Sequence, residues 1–191
     1  MLLIGSKIIG ASIMGLQTGA RLATIKEPII DPGNLKIIAY EVDGPLLAER
    51  PSFLRIADIR ELSPVGMIID SNDEFIGRND VIVIDKLLDL NFNIIGINII
   101  DDSGKKLGKV IDYIIETNSF YIQQLKVKQN FMINLTSTEL LIHRTQIIEI
   151  SNSTITVKST KIKDKEPIKS GTLSYVNPFK STSPQTNNQE H

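Results

Sequence analysis

The chain has no cysteine and only two histidines, His143 and His191, among its 191 residues. Missing thiols exclude disulfides, thiolate nucleophiles and sulfur-ligated zinc, and they are compatible with a reducing cytoplasm. Two imidazoles are too few for a multi-histidine metal site within one chain. They also leave no nucleophile–base–acid set to assemble, so that only Asp/Glu dyads stay open. No apolar run approaches the roughly 20 residues that span a bilayer. The N-terminal MLLIGSKIIGASIMGLQTGA has one lysine ahead of a short apolar run and no basic region before it, which assigns it to the fold rather than to a secretion signal. A formal net charge of -1 gives the whole molecule no field that would draw in nucleic acid or an anionic membrane. These absences predict a cytoplasmic, non-enzymatic protein with no cofactor, no metal and no membrane insertion.

What is present is isoleucine, which dominates a hydrophobic fraction of 41% and favours strands, because β-branched side chains pack well on a pleated surface. Shifted by 85 positions, GARLATIKEPIIDPGNLKIIAYEV (19–42) falls without a gap on GKKLGKVIDYIIETNSFYIQQLKV (104–127). Gly19/Gly104, Leu22/Leu107, Ile29/Ile114, Ile30/Ile115, Ile37/Ile122 and Val42/Val127 are identical, and the turn signals DPGN and ETNS coincide. After three more residues in the second loop, FLRIADIREL (53–62) matches LIHRTQIIEI (141–150), and VGMII (65–69) matches STITV (153–157). Two copies of one β-rich unit follow, residues 1–85 and 86–160, with a polar, disordered tail over 161–191. The apolar island Leu173–Phe179 within that tail is a candidate for docking on the barrel or on a partner. The connector DVIVIDKLLDLNF (80–92) reads as a strand start followed by one helical turn at Asp85–Leu90, too apolar for a loose linker. The first unit carries 8 basic and 12 acidic side chains, the second 8 and 7.

DDSGKKLGKVIDYIIE (101–116) has the look of a phosphate loop and fails as one. Only three residues separate Gly104 from Gly108, and Val110, not a hydroxyl residue, follows Lys109. A hairpin at Asp101–Gly104 accounts for it, with Gly104, like Gly19 in the first copy, at a turn, and Gly108 at a bulge or a close backbone approach. Lys105, Lys106 and Lys109 then stand at an exposed hairpin end as candidate anion or RNA contacts. The acidic run DSNDE (70–74) lacks the glycine and distal glutamate of a calcium loop, having Phe75 and Val81 there, and reads as a solvated turn. RIADIREL (55–62) is read as a helical turn with a surface ion pair among Arg55, Asp58, Arg60 and Glu61, and His143 as an exposed strand residue.

LGKVIDYIIE (107–116), preceded by a strand and an SG turn and followed by a strand ending LKV, then IHRTQIIEIS and ITV, resembles the PRC-barrel domain. That β-barrel is shared with the H subunit of photosynthetic reaction centres and with the C-terminal part of a ribosome maturation factor. The first copy matches more loosely, with Ala23 in place of Gly108 and Pro28 in place of Tyr113. The resemblance implies two small PRC-type barrels in tandem, mainly all-β with short helical turns, acting as a protein-binding adaptor without catalytic residues. Its RNA-associated alternative, in ribosome assembly, draws on Lys105, Lys106, Lys109, Lys126 and Lys128. A small-molecule sensor using the cleft between the units is a third reading.

Overall fold

β-Branched residues alternate with polar ones along most of the chain, and in this computed structural model they build strands joined by tight turns. The structure describes residues 1–63, 65–78, 80–129 and 139–159. In chain order the first half holds β1 (Leu2–Ile4), β2 (Ser12–Gly15), β3 (Arg21–Asp31), β4 (Lys36–Asp43), β5 (Ser52–Arg55), β6 (Glu61–Ser63), β7 (Gly66–Ile69) and β8 (Phe75–Gly77). Helix α1 (Ile82–Leu90) leads into β9 (Asn98–Asp101), β10 (Lys106–Glu116), β11 (Ile122–Lys128), β12 (Glu139–His143), β13 (Ile147–Ile150) and β14 (Thr154–Val157). They make two seven-stranded sheets, ordered β6-β7-β2-β3-β4-β5-β8 and β13-β14-β9-β10-β11-β12, with β1 added against β10. The fold is mainly β, and among the described residues neither sheet closes into a barrel.

Without β8 and β1 the two sheets have one strand order and one set of directions, with β2·β7 and β9·β14 parallel and every other pair antiparallel. Their irregularities coincide as well. The β3·β4 register slips between Ile25 and Glu27 and between Ile29 and Ile30; the β10·β11 register slips between Val110 and Asp112 and between Ile114 and Ile115, each position 85 residues on. Gly10 and Gly96, at φ +80° and +86°, donate to Ile25 and Val110 over 2.7 and 2.8 Å, a left-handed backbone that glycine adopts without strain. Gly108, at φ +143°, lies so close to β11 that a Cβ would sit 2.2 Å from the Lys128 carbonyl oxygen.

The two sheets meet through a self-complementary contact. Ile37 N donates to Phe120 O (3.0 Å) and Ile122 N to Leu35 O (2.8 Å), flanking an antiparallel bridge between Lys36 and Tyr121. Replacing each residue by its counterpart 85 positions away returns the same pair of bonds, the signature of an isologous interface. Leu35 and Phe120 both hold positive φ, 51° and 57°, at a cost of about 1–2 kcal/mol each. Both side chains are buried, which contributes roughly 1.5–3 kcal/mol apiece and offsets the strain. One apolar core runs through the contact, from Ile13, Ile37 and Leu54 of the first half to Ile99, Ile122 and Ile142 of the second.

The segment that precedes each half packs on the other half. β1 pairs antiparallel with β10 (Leu2↔Glu116, Ile4↔Ile114), and Gly5 lies against the Tyr113 ring with no room for a Cβ. α1 presents Ile84, Leu87 and Leu88 to Ile29, Ala39 and Phe53 on the first sheet. This packing corrects the expected strand start at residue 80: the chain is helical from Ile82, because the 84/87/88 spacing buries one helix face and outweighs β-branched propensity. The helix ends at Asn91 in the left-handed conformation. Among the described residues no helix is long and apolar enough to cross a membrane. The expected tail, 161–191, and its island Leu173–Phe179 lie outside the described residues.

Gly108→Ala, which adds a steric clash to a strained backbone, is expected to cost about 2–6 kcal/mol in denaturant unfolding. Gly96→Ala, with nothing within 4 Å of the added Cβ, should cost only about 1–2 kcal/mol. A fragment covering 86–160 lacks β1 and exposes the face around Phe120 and Ile122, and is expected to self-associate or unfold; a folded monomer by size-exclusion chromatography and amide dispersion would contradict the shared core.

Candidate interaction faces

The lysine-bearing hairpin is organised by Asp101, whose carboxylate accepts from Ser103 Oγ (2.6 Å), Ser103 N (3.0 Å) and Lys105 N (2.9 Å). These bonds, the Ser103 hydroxyl foremost, hold its carboxyl below the usual carboxylate range. Gly104, at φ +84°, closes the turn by donating to Asp101 O over 2.9 Å, and Gly19, at φ +64°, donates to Gly15 O over 2.8 Å in the first half. Lys105 and Lys106 are left exposed.

Gly108 then decides which way the next lysine points. Lys106 pairs with Ile100, Gly108 with Ile99 and Lys109 with Asn98, so the bulge absorbs one residue. Ile99 is fully buried, and its neighbours Asn98 and Ile100 therefore face outwards, as do Lys106 and Lys109 opposite them. On the next strand Lys128 is the direct partner of Lys109, and Lys126 lies two residues along on the same face. Like charges directly opposite one another on a sheet are destabilising, so folding alone does not account for Lys109 beside Lys128. Lys126 holds Glu139 at 3.2 Å, whereas Lys105, Lys106, Lys109 and Lys128 make no ion pair among the described residues. Asp112, opposite Lys126, is engaged elsewhere, accepting from Ser6 N (3.1 Å), Ser6 Oγ (2.6 Å) and Tyr113 N (2.8 Å).

At two of the counterpart positions the first half is acidic, and Ala20 and Arg21 stand for Lys105 and Lys106. Thr24 stands for Lys109, Glu41 for Lys126, Asp43 for Lys128 and Glu27 for Asp112. Thr24 Oγ1 donates to Asp43 O (3.0 Å), and Lys26 Nζ to Glu41 (2.5 Å). Glu27 is the cross-strand partner of Glu41; desolvation and then that neighbour push its carboxyl above the usual range. A shallow depression of about 740 Å³ runs over Thr24, Lys26, Glu41, Asp43, Arg50 and Pro51. The cleft where α1 faces Tyr113, lined by Glu27, Pro28, Leu87, Asn91 and Phe92, holds about 160 Å³. Small-molecule sites usually have roughly 300–1,000 Å³.

Residues 91–163 match the PRC-barrel domain family. No curated protein matches the chain. The PRC-barrel segment spans β9 to β14 and so carries the whole lysine face, but its β10 takes β1 from outside the segment.

The other singled-out residues have structural work. Arg55 forks onto Asp58 (2.6 and 2.9 Å) across a 3₁₀ turn at Ile56–Asp58, whereas Arg60 bonds Asp70 (2.8 and 2.5 Å) and not Glu61. In the acidic run Asp70 is therefore occupied, and Ser71 caps the turn Asn72–Glu74. His143 ends β12 and caps the turn Arg144–Gln146, accepting from Thr145 N while Gln146 accepts from His143 N. The acidic face went unread in the sequence, though comparing 24 with 109, 41 with 126 and 43 with 128 at the established offset exposes it.

The two carboxyl shifts have opposite signs in a pH titration of stability. Asp101 titrates below its ordinary 3.8, so its stabilisation is present above that value and is lost as pH falls through the folded pKa. Asp101→Ala should therefore lower stability at neutral pH, with the deficit closing in acid. Glu27 titrates above its ordinary 4.5, so stability is lost as pH rises through that value and the folded pKa. Glu27→Gln should gain on the parent chain over that rise, measured by thermal unfolding at low salt.

Proposed function

We propose that the chain is a non-enzymatic, cytoplasmic adaptor of two PRC-type barrel units in tandem, binding protein partners of opposite charge on its two outer faces. The observation that carries this reading is the inverted charge of equivalent positions on equivalent strands, Glu41 and Asp43 on one sheet against Lys126 and Lys128 on the other, with neutral Thr24 in place of Lys109. The shared core holds the two faces in a fixed relation, so that an acidic segment bound at the lysines and a basic one at the carboxylates are brought together. Duplication of one unit supplies both faces with the same strands, and only their outward side chains have to differ.

A second reading, RNA-associated work in ribosome assembly, is favoured by Lys105, Lys106, Lys109 and Lys128, which make no ion pair among the described residues, and by the PRC-barrel match. Salt separates the two, because contact with phosphates releases counterions and weakens steeply as salt rises.

Crosslinking pull-downs from the native cytoplasm test the proposal. Lys109→Glu with Lys128→Glu is expected to lose one reproducible set of protein partners, and Glu41→Lys with Asp43→Lys a different set, with both variants folded by circular dichroism. Recovery of no reproducible protein partner, or of nuclease-sensitive complexes with a steep salt dependence, overturns it.

A further inference from the structure

The two sheets differ at one edge. In the first, β5 is bordered by β8, in antiparallel register Ser52↔Gly77, Phe53↔Ile76 and Leu54↔Phe75. Its counterpart β12, 88 residues on, pairs with β11 on one side, and among the described residues no strand pairs with its other side. The side chains record the difference. Phe53 is 0% exposed beneath α1 and Ile76, whereas Leu141, which stands in its place, is 58% exposed. An unpaired edge offers a row of backbone donors and acceptors that an extended segment from another chain can complete.

Building on the adaptor reading, we infer that β12 accepts an antiparallel strand from a protein partner, seated as β8 is seated on β5. The partner is an extended segment with two consecutive apolar residues, the first pairing with Ile142 and the next covering Leu141. The ends of β12 fix its polarity. Continuing the β8 register places the residue before the apolar pair opposite His143, next to Arg144, and the residue beyond the turnward glycine opposite Glu139. An acidic residue suits the first place and a basic one the second. Flanking β8 those residues are Glu74 and Arg78, so the chain carries a template of its own ligand in Asn72–Arg78, NDEFIGR. At offset 88 the chain's own continuation reads Lys163, Asp164 and Lys165 where the first half has Phe75, Ile76 and Gly77. At that offset the chain supplies no apolar pair of its own.

The test uses the full chain, labelled with ¹⁵N, and a blocked synthetic NDEFIGR peptide as the probe. At millimolar peptide, shift changes should concentrate on Glu139–His143, and the outward amides of β12, unprotected from hydrogen exchange beforehand, should become protected. Replacing the peptide's Phe and Ile by Ser should weaken binding at least tenfold, and Leu141→Asp should weaken it at least fivefold. Leu141→Thr, which keeps strand propensity and edge amides, controls for loss of fold and should weaken it less. Absence of shifts at β12, or shifts elsewhere only, overturns the inference. So does protection already present in the free chain, whether independent of concentration, which would mean an edge covered in cis, or concentration-dependent, which would mean a second copy. Charge-swap variants that still lose their partners while β12 stays silent would reject this site and leave the adaptor reading standing.

Discussion

Everything in the described fold depends on the reciprocal contact between Leu35–Ile37 and Phe120–Ile122. Two hydrogen bonds would be a small term on their own, a net of about 1 kcal/mol each. Their significance is positional, since they fix the place where Leu35, Ile37, Phe120 and Ile122 drive into one core. Each half is too small to bury much surface alone; a unit of this size covers only about 60% of what its unfolded chain exposes. Joining the cores, and letting β1 and α1 each cross to the other half, raises that fraction for both. A homodimer of one unit would make the same contact twice over; fusion into one chain removes the association entropy and lets the halves drift apart in sequence.

That freedom has been used unevenly. Positions that set the backbone are alike: the paired bulges, the positive φ at Gly10 and Gly96 and at Leu35 and Phe120, and the turns at Gly19 and Gly104. Two outward positions are inverted in charge, Glu41 against Lys126 and Asp43 against Lys128. A bulge must keep its register or every side chain beyond it changes face, so the shared irregularities are constrained by the core, while an outward lysine or glutamate is constrained only by what it meets. The divergence between Thr24–Asp43 and Lys109–Lys128 is thus informative about recognition, because the strands beneath them are matched residue for residue.

Sequence reading reached the strand-rich class, the 85-residue offset and the hairpin at Asp101, since these rest on local composition, turn chemistry and self-similarity. It did not reach β1 pairing with β10, because Leu2, Leu3 and Ile4 carry no mark of a partner more than a hundred residues away. Nor did it place α1 from Ile82, whose first residues are β-branched and whose helical spacing matters only once Ile29, Ala39 and Phe53 offer a surface. At the candidate site it named all five lysines, and the register through Gly108 adds that Lys109, Lys126 and Lys128 share one face. Arg60–Asp70 was out of reach because the strands that bring the two together, β6 and β7, pair across a turn that local spacing does not specify.

The same logic explains why one edge is finished and the other, among the described residues, is not. β8 follows β7 closely and carries Phe75 and Ile76, so the first sheet completes itself with a strand whose side chains also seal the apolar patch under α1. In the second half β1 is spent on β10, α1 lies on the other sheet, and the chain beyond β14 turns to lysine and aspartate. Neither β1 nor α1 covers β12, and Leu141 is exposed on a strand whose twin residue is sealed. Exposure of this kind is unfavourable for an isolated strand and prone to misassociation, which is why sheet edges are usually paired, shortened, charged or covered.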